Sequence, residues 1–293
     1  MVEARLTRLA ATESCGGIGD ISVTSALFNG LLPALDGVEL YARRGRLAYD
    51  LQRATLLNMN VISIHGRTGI PADWNPLEAD SLLWLINQMT PPSEFLLAKY
   101  GDSHDILVHA CAFLRKPQLY AQVNELQSPI QKLWIENHPY PKGVTDAVDV
   151  VIALQLLSNP VNAGLTYDLF HALKNTYEDK QTFRASWKHI LQEILRIKET
   201  EKIPIGLHIP IGTKVDDSLP VDWMDTAMWQ DLASLILDAN IERIVFEHQF
   251  ANLNAYAVPF PRQVKAANQR LLELADQQLV PGGILPATSA IQV

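Results

Sequence analysis

Short runs of aliphatic and β-branched residues alternate with longer stretches of helical period along the whole chain. The strand-like runs are roughly 5–11, GVELYA (37–42), NVISIH (60–65), HDILVHA (104–110), QKLWIEN (131–137), AGLTYDLF (163–170), IPIGLHI (203–209) and ERIVFEH (242–248). Most are apolar at successive positions rather than strictly alternating, the pattern of parallel strands covered by helices. Between them the period changes. In 182–199, Phe183, Trp187, Ile190, Leu191 and Ile194 recur at helical spacing, with Thr182 as the predicted cap. In 261–277, Pro261 suits a helix start, and Val264, Ala267, Leu271 and Leu274 share one face.

Eight strand–helix units in 293 residues predict an α/β fold, a single (β/α)8 TIM barrel spanning 1–293. A doubly wound sheet is the main rival, because strand order is not written in one sequence. The Pro-rich pieces HPYPKG (138–143) and VPFPR (258–262) directly follow strands and read as loops, so one domain is expected.

Composition narrows the class. The net charge is −8, from 24 Lys and Arg against 32 Asp and Glu, which argues against a duplex nucleic-acid footprint. Apolar residues make up 48%, enough to build a core without staples, and two cysteines, Cys15 and Cys111, suit a reducing compartment. No apolar run approaches the ~20 residues of a membrane span, and the N-terminus lacks a continuous apolar segment. The expectation is a soluble, cytoplasmic protein with neither nucleic acid nor membrane as partner. Its homo-oligomeric state is left open.

Candidate chemistry collects at strand ends. Six of the eight histidines fall at or just past a strand's C-terminal end: His65, His109, His138, His171, His208 and His248. Glu39, Glu136, Asp168 and Glu247 occupy the same layer, the rim on which parallel barrels build active sites. Glu136, Asp168, His208 and Glu247 come from four successive strands and are the expected ligands of one divalent ion. Three carboxylates with one imidazole favour Mn²⁺, Mg²⁺ or Co²⁺, and Zn²⁺ also suits them. Trp134, Phe170 and Phe246 flank these residues in sequence and are read as core.

IENHP around Glu136, YDLFHA around Asp168 and His171, GLHIPIG around His208 and FEHQ around Glu247 together resemble the xylose-isomerase-like TIM-barrel superfamily. That group includes sugar epimerases, isomerases, dehydratases and endonuclease IV. The resemblance implies that Glu136, Asp168, His208 and Glu247 hold the metal, and that Glu136 and Glu247 also act as the catalytic acid/base pair. It implies that His171 and the basic residue six positions after His208 hold substrate oxygens. That residue is Lys214 here, where the epimerases usually carry Arg, and a point charge replaces a bidentate fork. The implied reaction is isomerisation or epimerisation of a small polyhydroxylated sugar or sugar phosphate by proton transfer through an enediolate. Alternatives are a dehydratase of a related polyol or keto acid, an endonuclease IV-like phosphodiesterase, or a metal-binding barrel without catalysis.

His65 and His109 match strand-end histidines that help endonuclease IV hold three zinc ions. The loop after the seventh strand, IPIGTKVDDSLPVDWMD, lacks that enzyme's further Asp-x-His pair and adds acid where DNA would need base. Gly66, Arg67, Thr68 and Gly69 follow the third strand, and Arg67 can contact a sugar or phosphate oxygen. No G-K-[ST] follows for a Walker A loop, and GGIGD (16–20) lacks the full spacing of a dinucleotide site. Cys111, two residues after His109, is read as packing rather than nucleophile. Long loops at 66–78, 210–226 and 249–260 leave room for a lid. Of the two extra histidines, His65 is expected to contact substrate or a second metal, and His109 to be mainly structural.

Overall fold

The computed structural model describes residues 6–11, 35–42, 47–66, 93–110, 131–137, 147–155, 157, 163–173, 176, 178–212, 219–220, 223–247 and 259–279. Nine strands are present among these: β1 (Thr7–Ala11), β2 (Gly37–Tyr41), β3 (Val61–His65), β4 (Asp105–His109), β5 (Leu133–Glu136), β6 (Ala163–Asp168), β7 (Ile205–Gly212), β8 (Leu219–Pro220) and β9 (Arg243–Glu247). Parallel pairings run from β1 through β7 in chain order, then from β7 to β9 and from β9 back to β1. The result is a closed (β/α)8 barrel, and β8 is a two-residue addition paired to the end of β7. All eight predicted strands are found. The unpredicted features include β8 and the extension of β7 to Gly212, both within the stretch read as loop 210–226, and the end of β6 at Asp168, after which Leu169 and Phe170 of the predicted strand begin a helix.

The helices among the described residues are α1 (Leu47–Leu56), α2 (Ser93–Tyr100), α3 (Ala147–Gln155), α4 (Leu169–Leu173), α5 (Lys180–Glu201), α6 (Thr226–Asp238) and α7 (Pro259–Leu279). The apolar stripe predicted for α5 is buried at Phe183, Trp187, Ile190, Leu191 and Ile194, and that for α7 at Val264, Ala267, Leu271 and Leu274. The helix starts differ. Asp179, not Thr182, caps α5: Asp179 Oδ1 accepts from Thr182 N at 2.8 Å, and Thr182 Oγ1 accepts from Asp179 N at 3.1 Å. Thr182 thus closes a capping box from the third helical position, satisfying amides that the helix itself cannot. α7 likewise begins at Pro259, two residues before Pro261. Removing the cap in Asp179→Ala is expected to lower stability by about 0.5–2 kcal/mol. Urea unfolding with an unchanged slope checks this, and an unmoved midpoint would show that the box contributes nothing.

The core lies mainly between barrel and helices, a layer that includes Leu40, Ile64, Ile135, Leu165, Leu207 and Phe246. The lumen is different. Barrel interiors are ordinarily filled by branched aliphatic side chains, but here Leu9 and Val245 form only a small buried pair. Much of the remaining space holds Arg243, 2% exposed. Its Nη1 donates to Ser63 Oγ at 3.1 Å and its Nη2 to Thr166 Oγ1 at 2.9 Å. β3, β6 and β9 are not neighbours, so these bonds cross the lumen. The guanidinium also lies 4.4 Å from the Trp134 ring centroid and 3.4 Å from Glu39 Oε2. Gly206 makes this route passable, since a Cβ there would stand 2.7 Å from Arg243 Cγ.

Candidate metal centre at the barrel mouth

Parallel register sets the polar side chains at one level. His109 pairs with Glu136, Asp168 with His208, and Glu247 with Pro210, all at or near the C-terminal ends of their strands. Glu136, Asp168, His208 and Glu247 bring one donor atom each within 4.8 Å of one another, and all four are buried. Glu136 and Glu247 reach His208 Nδ1 from strands on either side of β6 and β7, at 3.1 Å and 3.3 Å. Asp168 is clamped through its backbone. Asn137 Oδ1 accepts from Asp168 N at 2.6 Å, and Asn137 Nδ2 donates to Asp168 O at 3.1 Å.

His171 N donates to Asp168 Oδ1 at 2.6 Å, while Asp168 Oδ2 is buried without a hydrogen-bond partner. Neither ring nitrogen of His208 has a hydrogen bond of good geometry either. Buried, unsatisfied donor atoms converging on one point are costly in an ion-free protein and are what a dication would satisfy. The donor set, three carboxylates and an imidazole, fits Mn²⁺, Mg²⁺ or Co²⁺.

Glu136 has a second face. Its Oε2 lies 3.2 Å from His65 Nε2 and 3.3 Å from His109 Nε2, and these three residues form another group able to hold an ion. The contrast expected between the two histidines is therefore absent from their geometry: both are buried against the same carboxylate oxygen. Tyr41 stacks on His65 with centroids 5.5 Å apart, extending the wall toward the mouth.

The charges respond to this crowding. Burial pushes Asp168 up to about 7, helped by the negative Glu136 beside it. Burial likewise raises Glu247 to about 7 against the opposing pull of His208. Glu136 goes the other way: despite burial, His208 and His109 hold it well below the ordinary carboxylate range. Burial lowers His171. It would also lower His208, but Glu136, Glu247 and Glu39 outweigh it and raise that imidazole well above its usual value. Without an ion, Asp168 and Glu247 therefore keep protons that an unfolded chain gives up near pH 4. Their contribution to stability falls as pH rises from about 4 to about 7, the window between the ordinary value and the raised ones. A dication held by these residues would take the place of those protons. Mn²⁺ is therefore expected to raise the melting temperature more at pH 8 than at pH 6. Thermal scans with and without Mn²⁺ check this, and equal shifts would show that no proton is displaced.

His171 Nδ1 lies 3.0 Å from the carbonyl of Asn137 and 3.5 Å from Asp168 Oδ2, on the α4 turn directly after β6. Arg67, Lys214, His138, His248 and Cys111 lie outside the described residues. Trp134, Phe170 and Phe246 are buried as read, Trp134 in the lumen and the other two in the outer core. Asn137 and Arg243 were missed as parts of the site. The available signals were a polar residue directly after Glu136 and a charge inside the apolar run of β9.

No family profile matches the chain, and no curated protein does. Solved structures do. A D-tagatose 3-epimerase-like protein superposes with a TM-score of 0.52 at 12% identity, over 94% of this chain and 100% of the other. A xylose isomerase domain protein from Alicyclobacillus acidocaldarius subsp. acidocaldarius gives 0.52 at 12%, over 92% and 99%. A xylose isomerase-like TIM barrel/4-hydroxyphenylpyruvate dioxygenase fusion protein gives 0.49 at 16%, over 95% of this chain, which spans 46% of that one. The likeness to the first two shows a (β/α)8 barrel fold. At such identities the likeness speaks of architecture, and reaction has to be argued from the side chains. Among the described residues, no helix is long and apolar enough to cross a membrane.

Proposed function

We propose that the protein is a metal-dependent isomerase or epimerase acting on a small sugar or sugar phosphate. The observation that carries this reading is the convergence of Glu136, Asp168, His208 and Glu247 on one point at the barrel mouth. A divalent ion held by these residues would supply Lewis-acid polarisation of the substrate carbonyl. The side chains do the rest. Glu136 and Glu247, approaching from opposite sides of β6 and β7, are the base and acid that move a proton at the carbon beside the carbonyl, through an enediolate. His65 and His171 both face Glu136 and are assigned substrate oxygens, and Arg67 and Lys214, which follow the third and seventh strands in sequence, are assigned the outer contacts.

Incubating metal-loaded protein with a sugar panel in D₂O tests the reaction. Deuterium should enter beside the carbonyl and be lost in Glu247→Gln. Neither exchange nor turnover across a broad panel would remove this reading.

One observation favours a second reading, hydrolysis of a phosphodiester at a dinuclear centre: His65 and His109 both face Glu136 Oε2, and these three residues would hold a second ion. The net charge of −8 weighs against a nucleic-acid substrate. Metal analysis separates the two, with one ion per chain supporting isomerisation and two supporting hydrolysis.

A further inference from the structure

His208 is squeezed between two sets of carboxylates. Its Nδ1 faces Glu136 and Glu247 at the mouth, while its Nε2 faces Glu39 Oε1 at 3.3 Å, one level deeper in the lumen. Glu39 sits on β2, far round the barrel from β7, and is 1% exposed. Its other oxygen is fixed: Ser63 Oγ donates to Oε2 at 2.7 Å, and Arg243 Nη1 lies 3.4 Å from the same atom. Arg243 is in turn anchored by Thr166 and admitted by Gly206. Oε1 and the facing Nε2 are both buried without a well-aligned hydrogen bond. Two unsatisfied polar atoms held opposite each other need only a small tilt of the ring to pair.

We propose that Glu39, locked in place by Ser63 and Arg243, is a positioning residue for His208: it accepts the Nε2 proton and so fixes the imidazole with its Nδ1 lone pair turned to the mouth. This rests on the reading of His208 as a metal ligand. A ligating histidine ordinarily donates its second ring N–H to a carboxylate or carbonyl, which sets tautomer, orientation and basicity. Glu39 is the acceptor the structure offers on that side. It explains why a carboxylate and a guanidinium occupy space that branched aliphatic side chains fill in other barrels.

The test is titration of the purified full-length chain with Mn²⁺ and Co²⁺. Glu39→Gln keeps the shape and one acceptor oxygen but not the charge. It should bind the same number of ions as the wild type, about 10–100-fold more weakly, with a shifted visible Co²⁺ spectrum. Thr166→Val loses an Arg243 contact in the same layer without touching Glu39, and should leave affinity within about twofold and the spectrum unchanged. Should Glu39→Gln fold poorly, Ser63→Ala frees the carboxylate while keeping both charges, and should weaken binding several-fold. Wild-type affinity and spectrum in Glu39→Gln, or equal losses in Thr166→Val, would overturn the positioning role. A lower ion count in Glu39→Gln would overturn it too, making Glu39 itself a ligand. A wild-type protein that takes up neither ion would instead fail at the metal centre, one step earlier.

Discussion

Glu136→Gln is expected to abolish the proposed divalent-ion binding and the proposed activity together. The glutamine keeps the shape but offers a neutral amide to four imidazoles: His208 at 3.1 Å, His65 at 3.2 Å, His109 at 3.3 Å and His171 at 3.6 Å. Loss of an outer hydrogen-bond partner weakens metal binding about 10–100-fold, and loss of a ligand should exceed that. Loss of a general acid or base adds about 10²–10⁴ in rate. Elemental analysis of protein purified without chelator, with turnover measured at saturating Mn²⁺, separates the two effects. A variant with wild-type metal content would remove Glu136 from the ligands. One with restored turnover at high Mn²⁺ would remove it from the chemistry.

The second large effect is on stability. Arg243→Met leaves Glu39 as a buried carboxylate without its guanidinium, a loss of about 3–5 kcal/mol when one partner of a buried pair is removed. Burial by itself would raise Glu39, but His208 and Arg243 hold it at about 2, below the ordinary 4.5. A carboxyl depressed in the folded state contributes stability above its ordinary value and loses it as pH falls toward the depressed one. The deficit of Arg243→Met should therefore be full at neutral pH and shrink between about pH 4.5 and 2, the two values for this group. The double variant Glu39→Gln/Arg243→Met removes both charges and should recover much of the loss. Denaturant unfolding of the four proteins closes the cycle. An Arg243→Met protein as stable as wild type would show that the lumen does not depend on this pair.

Much of the barrel could be read from the chain because its signals are local. Each strand is a contiguous apolar run, and the buried faces of α5 and α7 are periodic within one helix. The four mouth residues were legible for a related reason: in a parallel barrel, the end of a strand in sequence is the rim in space, so position along the run gives the level. What sequence did not show is which residues meet across the lumen. Glu39 was visible as an acid on the second strand, but its contact with His208 depends on closure, which no local pattern encodes. Asn137 lies beside Glu136 in sequence yet acts on Asp168 from the neighbouring strand. The cap at Asp179 was displaced because either Asp or Thr can start a helix, and the backbone decided between them.

The polar lumen also says something about how the chain must be made. Ser63 lies 180 residues ahead of Arg243, and β1 finds its second neighbour only in β9. While the chain leaves the ribosome, the acid on β2 waits for a cation on the last strand to be synthesised. Until then the incomplete sheet has an open edge and an interior it cannot dry. Contacts this distant are slow to form, since a long loop must close before they reward it. Closure of the barrel and pairing of its buried charges are therefore committed late, and a nascent chain stopped short of β9 is expected to expose an edge that chaperones bind.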